Sequence, residues 1–230
     1  MRDFLTNSVF FGVGISLFSY WLGTVLKRKW KFALFNPLLI SIVLTIAALV
    51  VLHVDYDAYY EGAKYISFLL TPATICLAVP LYEQFELLKK HYKAVLLGIL
   101  AGTISSLCSV FLLALLFGFD HKSYVTFLPK SITTAIGMGV SEELGGYVSI
   151  TVAVIIITGV IGNMIAETVC KVFRIHHPIA KGVAIGSASH AVGTARAIEM
   201  GAVEGAMSSL SIVVSGVLTV IGASLFAGLL

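Results

Sequence analysis

The chain has 230 residues, of which 58% are hydrophobic and only 12% are charged, and its formal net charge is +3. Soluble domains carry about 25% charged residues, so this composition excludes an ordinary soluble domain. The positive charge is not a nucleic-acid signal, because lysine and arginine lie at the ends of apolar segments, where membrane topology explains them. We therefore expect an integral membrane protein.

Six long runs contain no aspartate, glutamate, lysine or arginine. They are residues 4–26, 32–54, 65–82, 94–119, 144–166 and 205–230. Each has about the length that a helix needs to cross ~30 Å of hydrocarbon, although the third is near the lower limit. The runs do not alternate apolar and polar residues as barrel strands do. The sequence therefore predicts one all-α polytopic membrane domain over residues 1–230, with about six full transmembrane helices.

Several other classes of protein lack support in the sequence. A basic cluster at residues 27–31 follows the first run, which is the reverse of the order in a cleavable signal peptide, so we expect an uncleaved anchor. Cys76, Cys108 and Cys170 have neither metal-ligand spacing nor even pairing, so we predict no disulfide and no metal site. Because no hydrolase, phosphate-loop or zinc-protease motif is present, we predict no enzyme and no cofactor.

Basic loops indicate the orientation of the chain. Residues 27–31, 89–93 and 171–174 are rich in lysine and arginine, which marks the cytoplasmic side. Residues 55–61 are acidic and aromatic, which is typical of an outer interface. These signals place the N-terminus outside, Asp120 outside and Lys171 inside. An odd number of crossings must therefore lie between Asp120 and Lys171.

Two segments are too short or too polar to be ordinary spans. Residues 127–140 contain Pro129 and Lys130 and precede the clean run 144–166, and residues 179–200 contain charges and precede the clean run 205–230. Such segments are typical of re-entrant or broken helices. We predict two of them, entering from opposite sides, with an eight-span topology as the alternative. Pro129 and Pro72 are the predicted helix breaks, because proline removes a backbone donor.

The second half of the chain contains a weak internal repeat. An offset of 60 residues aligns residues 134–165 with residues 194–225 and gives eight identical pairs, among them Thr134/Thr194 and Gly162/Gly222. We divide the chain into a first half, 1–120, and a second half, 121–230, with repeat units 127–170 and 187–230. Inverted repeats with interrupted helices are typical of secondary transporters.

Polar residues gather in the two interrupted segments and form the candidate substrate site. A cation at the bilayer centre costs about 2.5–3.5 kcal/mol, so it persists only if it is paired, reaches the surface or lines a wet cavity. Basic groups and hydroxyls together suit a small anion, and His190 is a candidate proton carrier. The candidate substrate-binding residues are Lys130, Ser131, Thr133, Thr134, Ser189, His190, Thr194 and Arg196.

Structural alternatives for three of these residues stay open from sequence. Arg196 could form an ion pair with Glu199, three residues further along a helix. Lys130 could extend to the outer surface. His190 could be a neutral residue that makes a hydrogen bond between helices.

Four segments of the chain resemble the bacterial LrgB/CidB family. They are NPLL (residues 36–39), LLTPATICLAVPLYEQ (69–84), LPKSITTAIGM (128–138) and KGVAIGSASHAVGTARAIEMG (181–201). The likeness covers nearly the whole chain. It implies location in the bacterial cytoplasmic membrane and one of two functions. Members are described as antiholin-like partners of a small LrgA/CidA-type membrane protein that modulate murein hydrolases and autolysis, or as transporters of small monocarboxylates. Bacterial pairs of this type are linked to pyruvate, and a related plastid protein moves glycolate and glycerate.

The interrupted segments favour the transport function, because a holin-like pore former needs few spans and no inverted repeat. Our hypothesis is facilitated or proton-linked movement of a small carboxylate by alternating access. On this hypothesis Lys130 and Arg196 bind the carboxylate, and Arg196→Ala abolishes uptake. A homodimer is expected by analogy with elevator-like carriers.

Overall fold

The computed structural model describes residues 9–30, 35–76 and 78–230. Within these residues the chain forms eleven helices and no strand. It divides into two compact units, the first ending at Cys76 and the second following it. The first unit contains α1 Val9–Trp30, α2 Pro37–Leu52, α3 Tyr56–Ser67 and α4 Leu70–Cys76. The second contains α5 Ala78–Glu83, α6 Phe85–Phe117, α7 His121–Phe127, α8 Thr134–Glu143, α9 Val148–Val172, α10 Pro178–Met200 and α11 Ala202–Ala227.

The prediction of an all-α polytopic membrane protein is confirmed. Among the described residues, five helical segments are long and apolar enough to cross a membrane: Phe10–Trp30, Tyr56–Pro80, Phe85–Phe117, Val148–Val172 and Ala202–Ala227. Helix α2 is apolar but has only 16 residues. Residues 4–8 of the first predicted run and residues 32–34 of the second lie outside the described part. The number of full spans stays a prediction.

In the first unit, α1 packs against α2 and α3 through small residues. A Cβ added at Gly12 would lie 2.2 Å from the carbonyl oxygen of Tyr59, so only glycine allows this approach. The Ser16 hydroxyl lies 2.8 Å from the Tyr59 hydroxyl at the same contact. Asn36 caps α2 by accepting from the N–H groups of Leu38 and Leu39, which are free at a helix start.

Pro72 lies just after an interruption of the helical path. Helix α3 ends at Ser67 and α4 begins at Leu70, so the break falls at Phe68 and Leu69. A proline ring collides with the carbonyl group four residues earlier, which here belongs to Phe68. The break therefore precedes the proline.

Helices α6 and α11 form the scaffold of the second unit and run in the same direction. Near their N-terminal ends, Val95 of α6 packs in one cluster with Met207 of α11. Towards their C-terminal ends, Leu107 of α6 packs in another with Ala223 of α11. We call this second cluster the Tyr124 cluster. Its buried members are Leu107, Val110, Ala114, Tyr124, Val125, Leu128, Ile132, Val140, Ala223 and Ala227.

Helix α10 is folded into a hairpin whose tip is His190. His190 has φ +43° and ψ −142°, which is not helical. A Cβ on Gly193 would lie 3.3 Å from the carbonyl oxygen of Ile185. In an unbroken helix two residues eight apart are separated by about 12 Å along the axis, so the chain must turn back at His190. The hairpin has a first arm, residues 178–189, and a second arm, residues 191–200.

Contacts with α11 give the directions of the two arms. Gly182 lies against Glu204, and Gly186 lies against Ser208, so the first arm is parallel to α11. In the second arm, Thr194 lies beside Ser208 and Ile198 beside Gly205, so this arm runs back antiparallel to α11. The first arm rises about 18 Å, roughly half the length of α11. The two arms of residues 179–200 therefore run out and back along one part of α11.

Helices α7 and α8 form another helical hairpin, with its tip in residues 128–133. In chain order it is the first hairpin, and α10 is the second. The Thr151 hydroxyl lies 2.9 Å from the carbonyl oxygen of Thr126 in α7, to which it donates, and 2.7 Å from the Ser141 hydroxyl in α8, so all three residues lie at one level. Pro129 lies buried in the turn between the two helices, and Thr133 is the N-cap residue of α8. The long helix α9 follows the first hairpin, just as the long helix α11 follows the second.

The two long helices α9 and α11 run in opposite directions. Gly159 of α9 lies beside His190, and Glu167, further along α9, pairs with Arg196. Helix α9 is therefore parallel to the second arm of α10. That arm is antiparallel to α11, so α9 is too. Each hairpin with its long helix has the same order of elements, in the inverted orientation that the sequence predicts. The predicted division of the chain at residue 120 and the predicted limits of the repeat units stay predictions. The boundary between the two compact units, at Cys76, reflects packing contacts and tests neither of them.

Candidate functional site

A cavity of about 1040 Å³ lies inside the second unit. It is lined by α6, α9, the first arm of α10 and the tip of the first hairpin. Along α6 it extends from His91 to Ser109, over which a helix rises about 27 Å. One end lies where the two hairpin tips approach each other, and the other lies at the start of α10.

Lys130 provides the positive charge at the inner end of the cavity. Its Nζ donates to the hydroxyl of Ser106 at 3.2 Å and to the hydroxyl of Ser131 at 3.0 Å. These two hydroxyls lie 3.0 Å apart. Ser187 and Ser189 line the cavity from the tip of the other hairpin. The Lys130 ammonium group and the serine hydroxyls therefore lie at the end of the cavity that the tips of both hairpins line.

The cavity lining is basic. Among the described residues, it contains Lys130, His91 and His177 and no aspartate or glutamate. None of the ion pairs formed by the described residues includes Lys130. An ammonium group with only neutral partners is poorly stabilised away from bulk water. An anion entering the cavity would supply the missing countercharge.

Of the eight predicted site residues, the structure brings three to the cavity. Lys130, Ser131 and Ser189 line it. The other five are not among its described lining residues. They are Thr133, Thr134, His190, Thr194 and Arg196.

The side chain of His190, at the tip of the second hairpin, lies against α9. It is 3% exposed, and its Nε2–H donates to the carbonyl oxygen of Ile155 at 3.0 Å. Thr194 donates to the carbonyl oxygen of His190 at 2.9 Å and lies 2.7 Å from the Ser208 hydroxyl. In this structure His190 makes the interhelical hydrogen bond that the sequence left as an alternative. A role as proton carrier stays a hypothesis.

Arg196 pairs with two carboxylates away from the cavity. It contacts Glu167 of α9 at 3.0 Å and also pairs with Glu199 of its own arm. A second ion pair, between Lys181 and Glu204 at 3.9 Å, joins the first arm to α11. These pairs hold the two arms of α10 against different helices.

Several polar lining residues are absent from our predicted site, among them Ser106, His91 and His177. Ser105, Ser106 and Ser109 interrupt an apolar run, which was a usable signal. Ser106 also continues the spacing of Gly98 and Gly102, so the three share one helix face. His91 and His177 lie far apart in sequence, and only the packing of α6 beside α10 brings them together.

The structure thus defines a polytopic helical membrane protein with two helical hairpins beside a basic cavity. Residues 16–229 match the model of the LrgB-like family. The chain is 43% identical over 222 residues to the antiholin-like protein LrgB of Bacillus cereus strain B4264, with 96% of each chain covered. Identity and coverage are the same for the antiholin-like protein LrgB of Bacillus anthracis strain CDC 684. No solved structure matches. The chain belongs to the LrgB-like family.

Proposed function

We propose that this protein transports small monocarboxylates of the pyruvate, lactate and glycolate class across the bacterial cytoplasmic membrane. The observation that carries the proposal is Lys130, whose ammonium group lies between the hairpin tips with serine hydroxyls as its partners. A carboxylate could accept from the ammonium group and from the hydroxyls of Ser106 and Ser131. These charge-assisted hydrogen bonds are stronger than the neutral ones they replace.

The shape of the second unit supports alternating access. The cavity extends from the hairpin tips toward His91 and His177, next to basic residues 89–93 and 171–174. The positive-inside rule assigns that side to the cytoplasm. The opposite side is filled by the Tyr124 cluster, in which the Tyr124 hydroxyl donates to the carbonyl oxygen of Phe226. Passage therefore requires the hairpins to move relative to the scaffold, as in other carriers with inverted repeats.

Uptake of labelled pyruvate into proteoliposomes by the purified chain tests this function. We expect Lys130→Ala to reduce uptake at least about tenfold, since charged hydrogen bonds are lost. Lys122→Ala is the matched control, because Lys122 lies over the Tyr147 ring and does not line the cavity. Equal uptake by Lys130→Ala and the wild type would exclude this site.

A second candidate function is antiholin-like regulation of murein hydrolases and autolysis with a small LrgA/CidA-type membrane partner. The names of the relatives favour it more directly than they favour transport. A purified chain that moves no carboxylate but binds such a partner would support regulation. A purified chain that moves pyruvate without a partner would support transport.

A homodimer is part of the transport proposal, and the mass of the protein in detergent can be measured directly.

A further inference from the structure

The end of the cavity farther from Lys130 contains two imidazole rings, which belong to different elements. His91 belongs to α6, and His177 precedes the first turn of α10. Their ring centroids are 6.5 Å apart, with one ring edge toward the other, and both line the cavity. The neighbouring His176 does not line it.

The two rings have unused hydrogen-bonding capacity. Among the described residues, the only side-chain interaction of the His91 and His177 rings is the contact that they make with each other. No carboxylate from the described part of the chain lines this end of the cavity. Each imidazole offers at least one N–H donor. Lys89 is paired with Glu86, and the nearby Lys90 and Lys93 add positive charge that favours anions over cations.

This end is too distant from Lys130 to belong to the same binding site. Ser106, which contacts Lys130, follows His91 by fifteen residues on α6, a rise of about 22 Å. A small monocarboxylate cannot bridge that length. Small residues, including Ala94, Gly98 and Gly102, line the path between the two ends.

We propose that His91 and His177 form a second anion site, which binds the carboxylate at the mouth of the cavity before it reaches Lys130. This inference rests on the proposed transport function. The two N–H donors hold one carboxylate between the rings, and the small residues let it pass inward. Transport thus uses two successive binding sites.

Protection of the rings from modification tests the mouth site. The wild type and Lys130→Ala are treated with diethyl pyrocarbonate, with and without sodium pyruvate, and modification of each histidine is measured by peptide mass spectrometry. We expect pyruvate to slow modification of His91 and His177 in both proteins, and to leave the rate of modification of His176 unchanged.

Uptake assays give a second test of the mouth site. Replacing both His91 and His177 by alanine should raise the half-saturating concentration of pyruvate about tenfold, with His176→Ala as the control.

The outcomes separate this inference from the proposed function. Protection that disappears in Lys130→Ala would overturn a separate site, because the rings would then report occupancy at Lys130. Absence of protection in a wild type that still shows Lys130-dependent uptake would overturn the mouth site alone. Absence of both uptake and protection would overturn the proposed function and the mouth site with it.

Discussion

At the scale of single residues, the structure separates two cations that look equivalent in the sequence. Lys130 lines the cavity with hydroxyl partners, whereas Arg196 is paired with Glu167 and Glu199. Arg196→Ala should therefore act through hairpin position. Because these groups are partly exposed, we expect a loss of about 1 kcal/mol or less in unfolding free energy. Uptake should fall less than in Lys130→Ala.

Thermal unfolding and pyruvate uptake of the same preparations check this expectation. Glu167→Gln removes the pairing from the other side and serves as the matched variant, so it should resemble Arg196→Ala in both measurements. If Arg196→Ala alone abolishes uptake in a folded protein, Arg196 binds the anion, as our sequence hypothesis states.

At the scale of elements, a glycine of α9 sets the position of the second hairpin tip. A Cβ on Gly162 would lie 1.7 Å from Oγ and 2.5 Å from Cβ of Ser189. Rotation of the hydroxyl cannot relieve the second clash, so Gly162→Ala must displace the tip. Overpacking of this kind costs about 1–3 kcal/mol. We expect Gly162→Ala to lower the midpoint of thermal unfolding and to reduce uptake.

A second-site variant shows whether this clash is the cause. Ser189→Gly removes the offending Cβ and should restore part of the stability of Gly162→Ala, whereas Ser189→Ala keeps the Cβ and should not. Gly139→Ala is the control, because a Cβ there meets no atom within 4 Å. Equal behaviour of the two Ser189 variants would contradict this explanation.

At the scale of the whole molecule, the hairpins decide the topology. The N–H of Tyr147 donates to the Thr126 hydroxyl at 2.8 Å, so the start of α9 lies at the level of α7. Lys122 and Glu143 should therefore be accessible from the same side of the membrane. In the eight-span alternative they lie on opposite sides.

Labelling of single cysteines tests this topology. After replacement of Cys76, Cys108 and Cys170, cysteine is introduced at position 122, 143 or 174. An impermeant maleimide added to intact cells should label positions 122 and 143, and should label position 174 only after permeabilisation. Labelling of 122 but not 143 in intact cells would support eight spans.

The sequence by itself determined the membrane class, the helical architecture and the two interrupted segments. Those properties depend on apolar length, charge and proline, which are local in the chain. It also singled out Lys130 and Ser131, because a cation within a short apolar segment is costly wherever it lies.

Only the tertiary structure decided which polar groups meet. The packing of α6 beside the two hairpin tips brings Ser106 to Lys130, and the packing of α6 beside the start of α10 brings His91 to His177. The packing of the second arm of α10 against α9 brings Arg196 to Glu167. Helix periodicity defines the faces of one helix, but the neighbour of each face depends on contacts between residues far apart in the chain.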